Sequence, residues 1–143
     1  MSPVRVIFVG TGNAARSQMA EALLRHEAPD RFEVVSGGTH PTPIDPMTVV
    51  ALSRAGLSLE GAESKSVMRY AAQSFDYVIT VCDRARKVCP VFPGVGELLH
   101  WGIDDPSEVE GGDAVRQAAY DRALRELSAR TREFVRQAAP RVA

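Results

Sequence analysis

No run of about 18 consecutive apolar residues occurs in the chain, so no segment is expected to cross a bilayer as a helix. Net charge is nearly absent: 17 Lys and Arg stand against 18 Asp and Glu, a balance of -1. That excludes a general electrostatic pull toward nucleic acid or an anionic membrane, so affinity for an anion has to come from a local site. Cysteine is scarce, with Cys82 and Cys89 alone, and these two with His100 fall short of the four ligands of a structural zinc site. Met1-Ser2-Pro3 leads into an apolar strand with neither a charged n-region nor a small-residue cleavage site. A signal peptide is therefore not expected, and the default compartment is the cytoplasm. There both thiols are expected to be reduced unless their oxidation is part of the function. Internal repeats and low-complexity linkers are missing too, and His40-Pro41-Thr42-Pro43 is too short to separate two domains.

What is present fits one domain over residues 1–143, with 45% hydrophobic and 24% charged residues. A chain of this size buries roughly 68–70% of its unfolded surface and needs no covalent staples. The β-branched and aromatic run at 5–9 reads as a buried strand, and a glycine-containing loop over 10–16 follows. A helix is expected over 17–26, with Met19, Ala20, Leu23 and Leu24 on one face. A second strand at 32–36 ends in Gly37-Gly38. Asp45-Pro46 is a strong helix start, and the helix it opens runs to Ala55 with Gly56 as C-terminal cap.

A weaker helix is read at 66–73, a third strand at 77–81 and a short fourth at 97–100. Asp113 is expected to cap a last helix reaching Ala138. There Tyr120, Leu124, Leu127, Phe134 and Ala138 recur at threes and fours, with Thr131 in the remaining slot. Strands alternating with helices imply an open α/β sheet of four parallel strands with helices on both faces. Ligands of such sheets bind beyond the carboxyl ends of the strands, so the first strand-to-helix loop is the place to look.

That loop reads Gly10-Thr11-Gly12-Asn13-Ala14-Ala15-Arg16-Ser17. Small residues let successive backbone N–H groups turn inward, and the helix start adds donors and a positive dipole end, which together make an anion cradle. Arg16 can clamp a tetrahedral oxyanion. The alternative is a tight turn with Arg16 in a surface ion pair. Gly10, Gly12 and Ala15 also match a dinucleotide fingerprint formally, but that needs an acid at the end of the second strand, where Val35-Ser36-Gly37-Gly38 stands.

The string from Phe8 through Gly10-Thr11-Gly12-Asn13-Ala14-Ala15-Arg16-Ser17-Gln18-Met19-Ala20-Glu21-Ala22-Leu23-Leu24 resembles the active-site P-loop and first helix of thioredoxin-coupled arsenate reductases. These share the low-molecular-weight protein tyrosine phosphatase fold, so the resemblance implies a flavodoxin-like domain. Val81-Cys82-Asp83 through Cys89-Pro90-Val91-Phe92-Pro93-Gly94 resembles their redox segment, and Trp101-Gly102-Ile103-Asp104-Asp105-Pro106 their general-acid loop. The phosphatase branch follows its Asp-Pro with tyrosines, whereas Ser107-Glu108 follows here, which argues against a phosphotyrosine substrate.

By that resemblance Thr11, Gly12, Asn13, Ala14, Ala15 and Arg16 hold the oxyanion: arsenate, phosphate or sulfate. Ser17 supports a thiolate and Asp105 protonates the departing oxygen. Cys82 attacks the first sulfur and releases arsenite, and Cys89 resolves the disulfide that thioredoxin then reduces. No cofactor beyond thioredoxin is expected, and a monomer is. Asn13, Glu21 and Ser36 match three ligand positions of a potassium site found in some of these enzymes, but the fourth falls on Lys65, whose ammonium can replace the cation.

The first step is where the chain departs from the family. The nucleophilic cysteine of the loop falls on Gly10, which offers no nucleophile, and Thr11 has no identifiable base to activate it. The chain as written is expected to be inactive or severely impaired. Three readings of Gly10 stay open: a nucleophile removed by design, a degenerate paralogue, or a protein kept to bind oxyanion or arsenite.

Overall fold

A computed structural model describes residues 2–94 and 96–138, so Met1, Val95 and residues 139–143 of the expected 1–143 domain lie outside the described residues. β1 is Val4–Gly10, and its side chains alternate between the two faces of the sheet, as a strand's period of two requires. Val4, Val6 and Phe8 enter one apolar cluster, Ile7 and Val9 the other. Val6, Ile7, Phe8 and Val9 are all 0% exposed, and burial of each such side chain stabilises by about 1.5–3 kcal/mol. Strand and sheet position therefore follow from the same run of residues.

Beside β1 lie β2 (Phe32–Gly38) and β3 (Tyr77–Thr80), and β4 (Glu97–His100) forms an edge. All pairings are parallel, in the order β2-β1-β3-β4. The registers run Val4↔Phe32 to Gly10↔Gly38, Val6↔Tyr77 to Val9↔Thr80 and Tyr77↔Glu97 to Thr80↔His100. Because β1 has β2 on one side and β3 on the other, chain direction across the sheet reverses at its carboxyl end. That is the switch point where open α/β sheets place ligands.

α1 (Arg16–Glu27), α2 (Pro46–Arg54) and α4 (Asp113–Gln137) supply Met19, Leu24, Leu52, Tyr120, Leu124, Leu127 and Phe134 to the cluster with Phe8. The opposite cluster joins Ile7, Val9 and Val78 to Val67, Phe75, Phe92 and Ala85 of α3 (Asp83–Val88). Helical elements thus cover both faces, as the alternation of elements implied. Thr131 occupies its apolar slot in α4 at 1% exposure because its hydroxyl donates to the Leu127 carbonyl at 2.7 Å.

Several boundaries differ from expectation. The helix read at 66–73 is a single 3-10 turn, Val67–Tyr70, started by Ser66 accepting from the Met68 N–H; only Val67 in it is buried, too little apolar surface to hold a longer helix. α3 was not anticipated, because five of its six residues are exposed and Ala85 alone is buried, which leaves no periodic signal. Asp113 is the first helical residue rather than the cap. Gly112 takes the cap position without a side-chain bond, and the Asp113 carboxylate favours the positive end of the helix dipole instead. Gly56, at φ 78°, follows α2 in the left-handed conformation expected of a C-terminal cap.

Candidate functional site

Beyond the carboxyl ends of β1, β3 and β4 lies a cleft of about 840 Å³, lined by residues 10–17, 42–46, 82–84 and 102–105 together with His40, Ser107, Glu108 and Tyr120. The loop after β1 forms its floor. Its carbonyl oxygens are taken from outside: Gly10 O accepts from Thr39 N–H at 3.0 Å, Thr11 O from His40 N–H at 2.8 Å and Gly12 O from Thr42 N–H at 2.9 Å. Ala14 O accepts from Asp45 N–H at 3.0 Å, and Asn13 O from Gln18 Nε2 at 3.1 Å. Among the described residues, no protein acceptor takes the backbone N–H groups of 11–17. Donors that bond nothing in the protein, arrayed beside a helix start and lining a cleft, are suited to an anion.

Asn13 sets the turn. Its φ of 52° is left-handed, a region Asn tolerates better than most residues, and its side chain is 1% exposed. Nδ2 donates to Ser17 Oγ at 2.9 Å and Ser36 Oγ at 3.0 Å, while Oδ1 accepts from Gln18 Nε2 and the Lys65 N–H, both at 3.0 Å. All four bonding capacities of the amide are engaged, so the loop is held from beneath. Gly38 lies so close to the loop that a Cβ there would sit 2.6 Å from the Thr11 carbonyl oxygen. Only glycine permits that approach.

Ser36 Oγ donates to Glu21 Oε1 at 2.8 Å, and Lys65 Nζ pairs with the same oxygen at 3.7 Å. Burial lowers the Lys65 ammonium's pKa, against the opposing pull of Glu21. These residues do not fit a bound potassium ion, since both Asn13 Oδ1 lone pairs are occupied and an ammonium already faces Glu21. Among the described residues no group of three or more His, Cys, Asp or Glu side chains is arranged for a metal.

Arg16, at the start of α1, is tied to the segment after β4: Nη1 donates to Ile103 O at 2.7 Å, and Nη2 lies 3.4 Å from Asp105 Oδ2. The other Asp105 oxygen accepts from Ser107 N–H at 2.9 Å and Ser107 Oγ at 2.7 Å, opening the 3-10 turn Pro106–Glu108. Arg16 is thus an ion-paired residue, as the plainer reading of the loop had it, but the pair lies in the cleft and its partner is Asp105. Cys82 caps α3, accepting from Ala85 N–H at 3.3 Å, and its Sγ lies 3.1 Å from Thr11 Oγ1. Cys89, just past the other end of α3, is half-buried with its thiol pKa pushed up by burial, and it does not line the cleft. Both cysteines are free thiols.

Gly10, Thr11, Gly12, Asn13, Ala14, Ala15, Arg16, Ser17, Cys82 and Asp105 are therefore brought to one cleft, while Glu21, Ser36 and Lys65 form a layer behind it. Sequence reasoning missed two neighbours. Tyr120, read only as core, donates to Asp45 Oδ2 at the cleft wall, and burial together with that carboxylate pushes its phenol pKa far up. His100 joins Thr80 Oγ1 at 2.7 Å to Asp83 Oδ1 at 2.8 Å, bracing the start of α3 against β4. The Asp-Pro pair at 45–46 was the available signal for the first; no local pattern marked the second.

Comparison with known proteins gives the family of the chain. The family described as low molecular weight phosphotyrosine protein phosphatase matches residues 5–141. An arsenate reductase of Halalkalibacterium halodurans is 34% identical over 129 residues, covering 90% of this chain and 93% of its own. The structure of a thioredoxin-dependent arsenate reductase from Corynebacterium glutamicum aligns at TM-score 0.69 and 35% identity, over 94% of this chain and 62% of that one. An arsenate reductase in a phosphate-binding state, 20% identical, shares the fold at TM-score 0.77 over 95% of this chain and 99% of that one. On the match over 5–141 and the arsenate reductase relatives, the chain belongs to the low molecular weight phosphotyrosine protein phosphatase family and groups there with the arsenate reductases.

Proposed function

We propose that this protein is an arsenate-reductase-type oxyanion binder whose reducing cascade is silent for want of a thiol at position 10. The observation that carries it is the set of backbone N–H groups over 11–17 with no protein acceptor, beside the Arg16 guanidinium. Arsenate, phosphate and sulfate share the tetrahedral geometry and charge that such donors select. Asp105, 3.4 Å from Arg16, takes the position of the acid for a departing oxygen. Cys82 stands at the rim through Thr11, and Cys89 at the far end of α3 is its resolving partner, with thioredoxin as reductant.

Nothing in the loop supplies the first nucleophile, so the later steps have no covalent arsenic adduct to act on. A purely binding protein is the second reading, favoured by the retained donors around Gly10. A phosphatase role is weaker, because Ser107 and Glu108 flank Asp105 where an aromatic wall would grip an aryl ester.

The deciding experiment is arsenate reduction coupled to thioredoxin by this chain and by Gly10→Cys in parallel. A Cβ at Gly10 would lie 3.1 Å from Ser17 Oγ and the backbone there is not left-handed, so cysteine fits with a small adjustment. Turnover is expected only in Gly10→Cys. Inactivity of both would move the reading to binding alone, and turnover by the unaltered chain would refute the mechanism.

A further inference from the structure

Cys82 stands beside the position that lacks a nucleophile. Val81 N–H donates to Val9 O at 3.0 Å, so the residues that follow them, Cys82 and Gly10, leave adjacent strands at the same end of the sheet and both line the cleft. Cys82 is a free thiol, with Sγ 3.1 Å from Thr11 Oγ1. Arg84, two residues on, lines the cleft as well, and its guanidinium has no ion pair or hydrogen bond among the described residues. One cleft of about 840 Å³ therefore holds the N–H cradle, two guanidinium groups and a free thiol. In the cascade proposed above, Cys82 acts on a sulfur already bonded to the central atom of the anion. Position 10 supplies no such sulfur.

Resting on that function, we propose that the substrate brings this sulfur itself: a tetrahedral thio-oxyanion, thioarsenate or thiosulfate, whose terminal sulfur Cys82 removes. The N–H donors and Arg16 take the three oxygens, because sulfur is the weaker hydrogen-bond acceptor. That leaves the sulfur for the Cys82 side of the cleft. There Arg84 offsets the repulsion between a thiolate and an anion. No side chain at position 10 enters the reaction, so glycine suffices.

The bonds then follow in order. The Cys82 thiolate attacks the terminal sulfur and forms an S–S bond, which leaves Cys82 as a persulfide. The As–S bonding pair stays on arsenic, which leaves as arsenite, reduced from As(V) to As(III) and protonated from water. With thiosulfate the pair stays on the central sulfur, which leaves as sulfite. The Cys89 thiolate attacks Cys82 Sγ, forms the Cys82–Cys89 disulfide and expels hydrosulfide. A thioredoxin-class dithiol finally reduces that disulfide, so one dithiol is oxidised for each sulfide released.

The test follows sulfide release by the unaltered chain with thioredoxin and its reductase, given thioarsenate, thiosulfate or thiophosphate. Thioarsenate or thiosulfate is expected to react at least roughly tenfold faster than with Arg16→Met, since the cradle converts a bimolecular encounter into a local one. Arsenite or sulfite as the second product identifies the central atom. Excess phosphate should suppress the gain by filling the cradle. Thiophosphate should compete for the cradle and release no sulfide, because phosphorus does not keep the electron pair. In Cys89→Ser, mass spectrometry should find Cys82 one sulfur atom heavier. No sulfide from thioarsenate or thiosulfate, while Gly10→Cys reduces arsenate, overturns this proposal and leaves the proposed function standing. Inactivity of Gly10→Cys as well overturns both. Sulfide release undiminished in Arg16→Met or under excess phosphate also overturns it, since the thiol would then react without the cradle.

Discussion

Lys65 carries a cation into the layer beneath the loop, with its side chain 9% exposed and Nζ 3.7 Å from Glu21 Oε1. Burial disfavours the charged form more than Glu21 restores it, so the folded pKa lies below the value of the unfolded chain. Between those two values the unfolded state binds more protons, and stability rises with pH. The unfolding free energy of the unaltered protein, measured against Lys65→Met, is therefore expected to grow as pH climbs toward the ordinary lysine value of about 10.4, at no more than about 1.4 kcal/mol per pH unit. Urea titrations across that alkaline window check the sign; a falling difference would mean that the ion pair outweighs desolvation. Arg16, Ser17, Asp105 and the Gly10 position were legible because each sits in a short motif. Tyr120 was not, because a buried tyrosine in a helical stripe looks like core until its hydroxyl is placed against Asp45.

At the scale of elements, the junction between α2 and α4 rests on Asp45. One oxygen caps α2, accepting from Met47 N–H at 3.0 Å, and the other receives the Tyr120 hydroxyl of α4. Asp45→Ala removes a cap worth about 0.5–2 kcal/mol and leaves a buried hydroxyl unsatisfied at about 1–3 kcal/mol. We expect about 2–4 kcal/mol of destabilisation by urea denaturation. Tyr120→Phe alone should lose about 0.5–1.5 kcal/mol. The double variant should fall short of the sum by at least about 0.5 kcal/mol, because the shared bond is counted once; strict additivity would mean that the contact carries no energy. The helix start at Asp45-Pro46 was legible from its capping chemistry, and the strands from their β-branched runs. α3 was not, because its one buried residue makes no period and its place is set by Cys82, the β3 end and the brace from His100.

For the whole molecule, the cradle links anion binding to folding. A ligand that binds only the folded state at one hundred times its Kd adds about 2.7 kcal/mol to the unfolding free energy. Phosphate is expected to raise the thermal midpoint of the unaltered protein, and Arg16→Met to abolish most of that rise. Calorimetric scans at increasing phosphate check both, and an unchanged midpoint would remove the oxyanion reading. With a net charge of only -1, the chain as a whole exerts almost no pull on the anion, so the effect has to be local.

By itself the sequence determined the parallel α/β order, the loop that turns at Gly10 to Ser17, and the lack of a thiol there. Those depend on hydrophobic period, capping chemistry and residue identity, which are local. Only the tertiary structure decided that the loop's carbonyls are taken by residues 39–45, that Asp105 reaches Arg16 and that Thr11 meets Cys82. These contacts join positions tens of residues apart, and their distances are set by how β1, β3 and β4 pair and by which helices cover them, which no local pattern encodes.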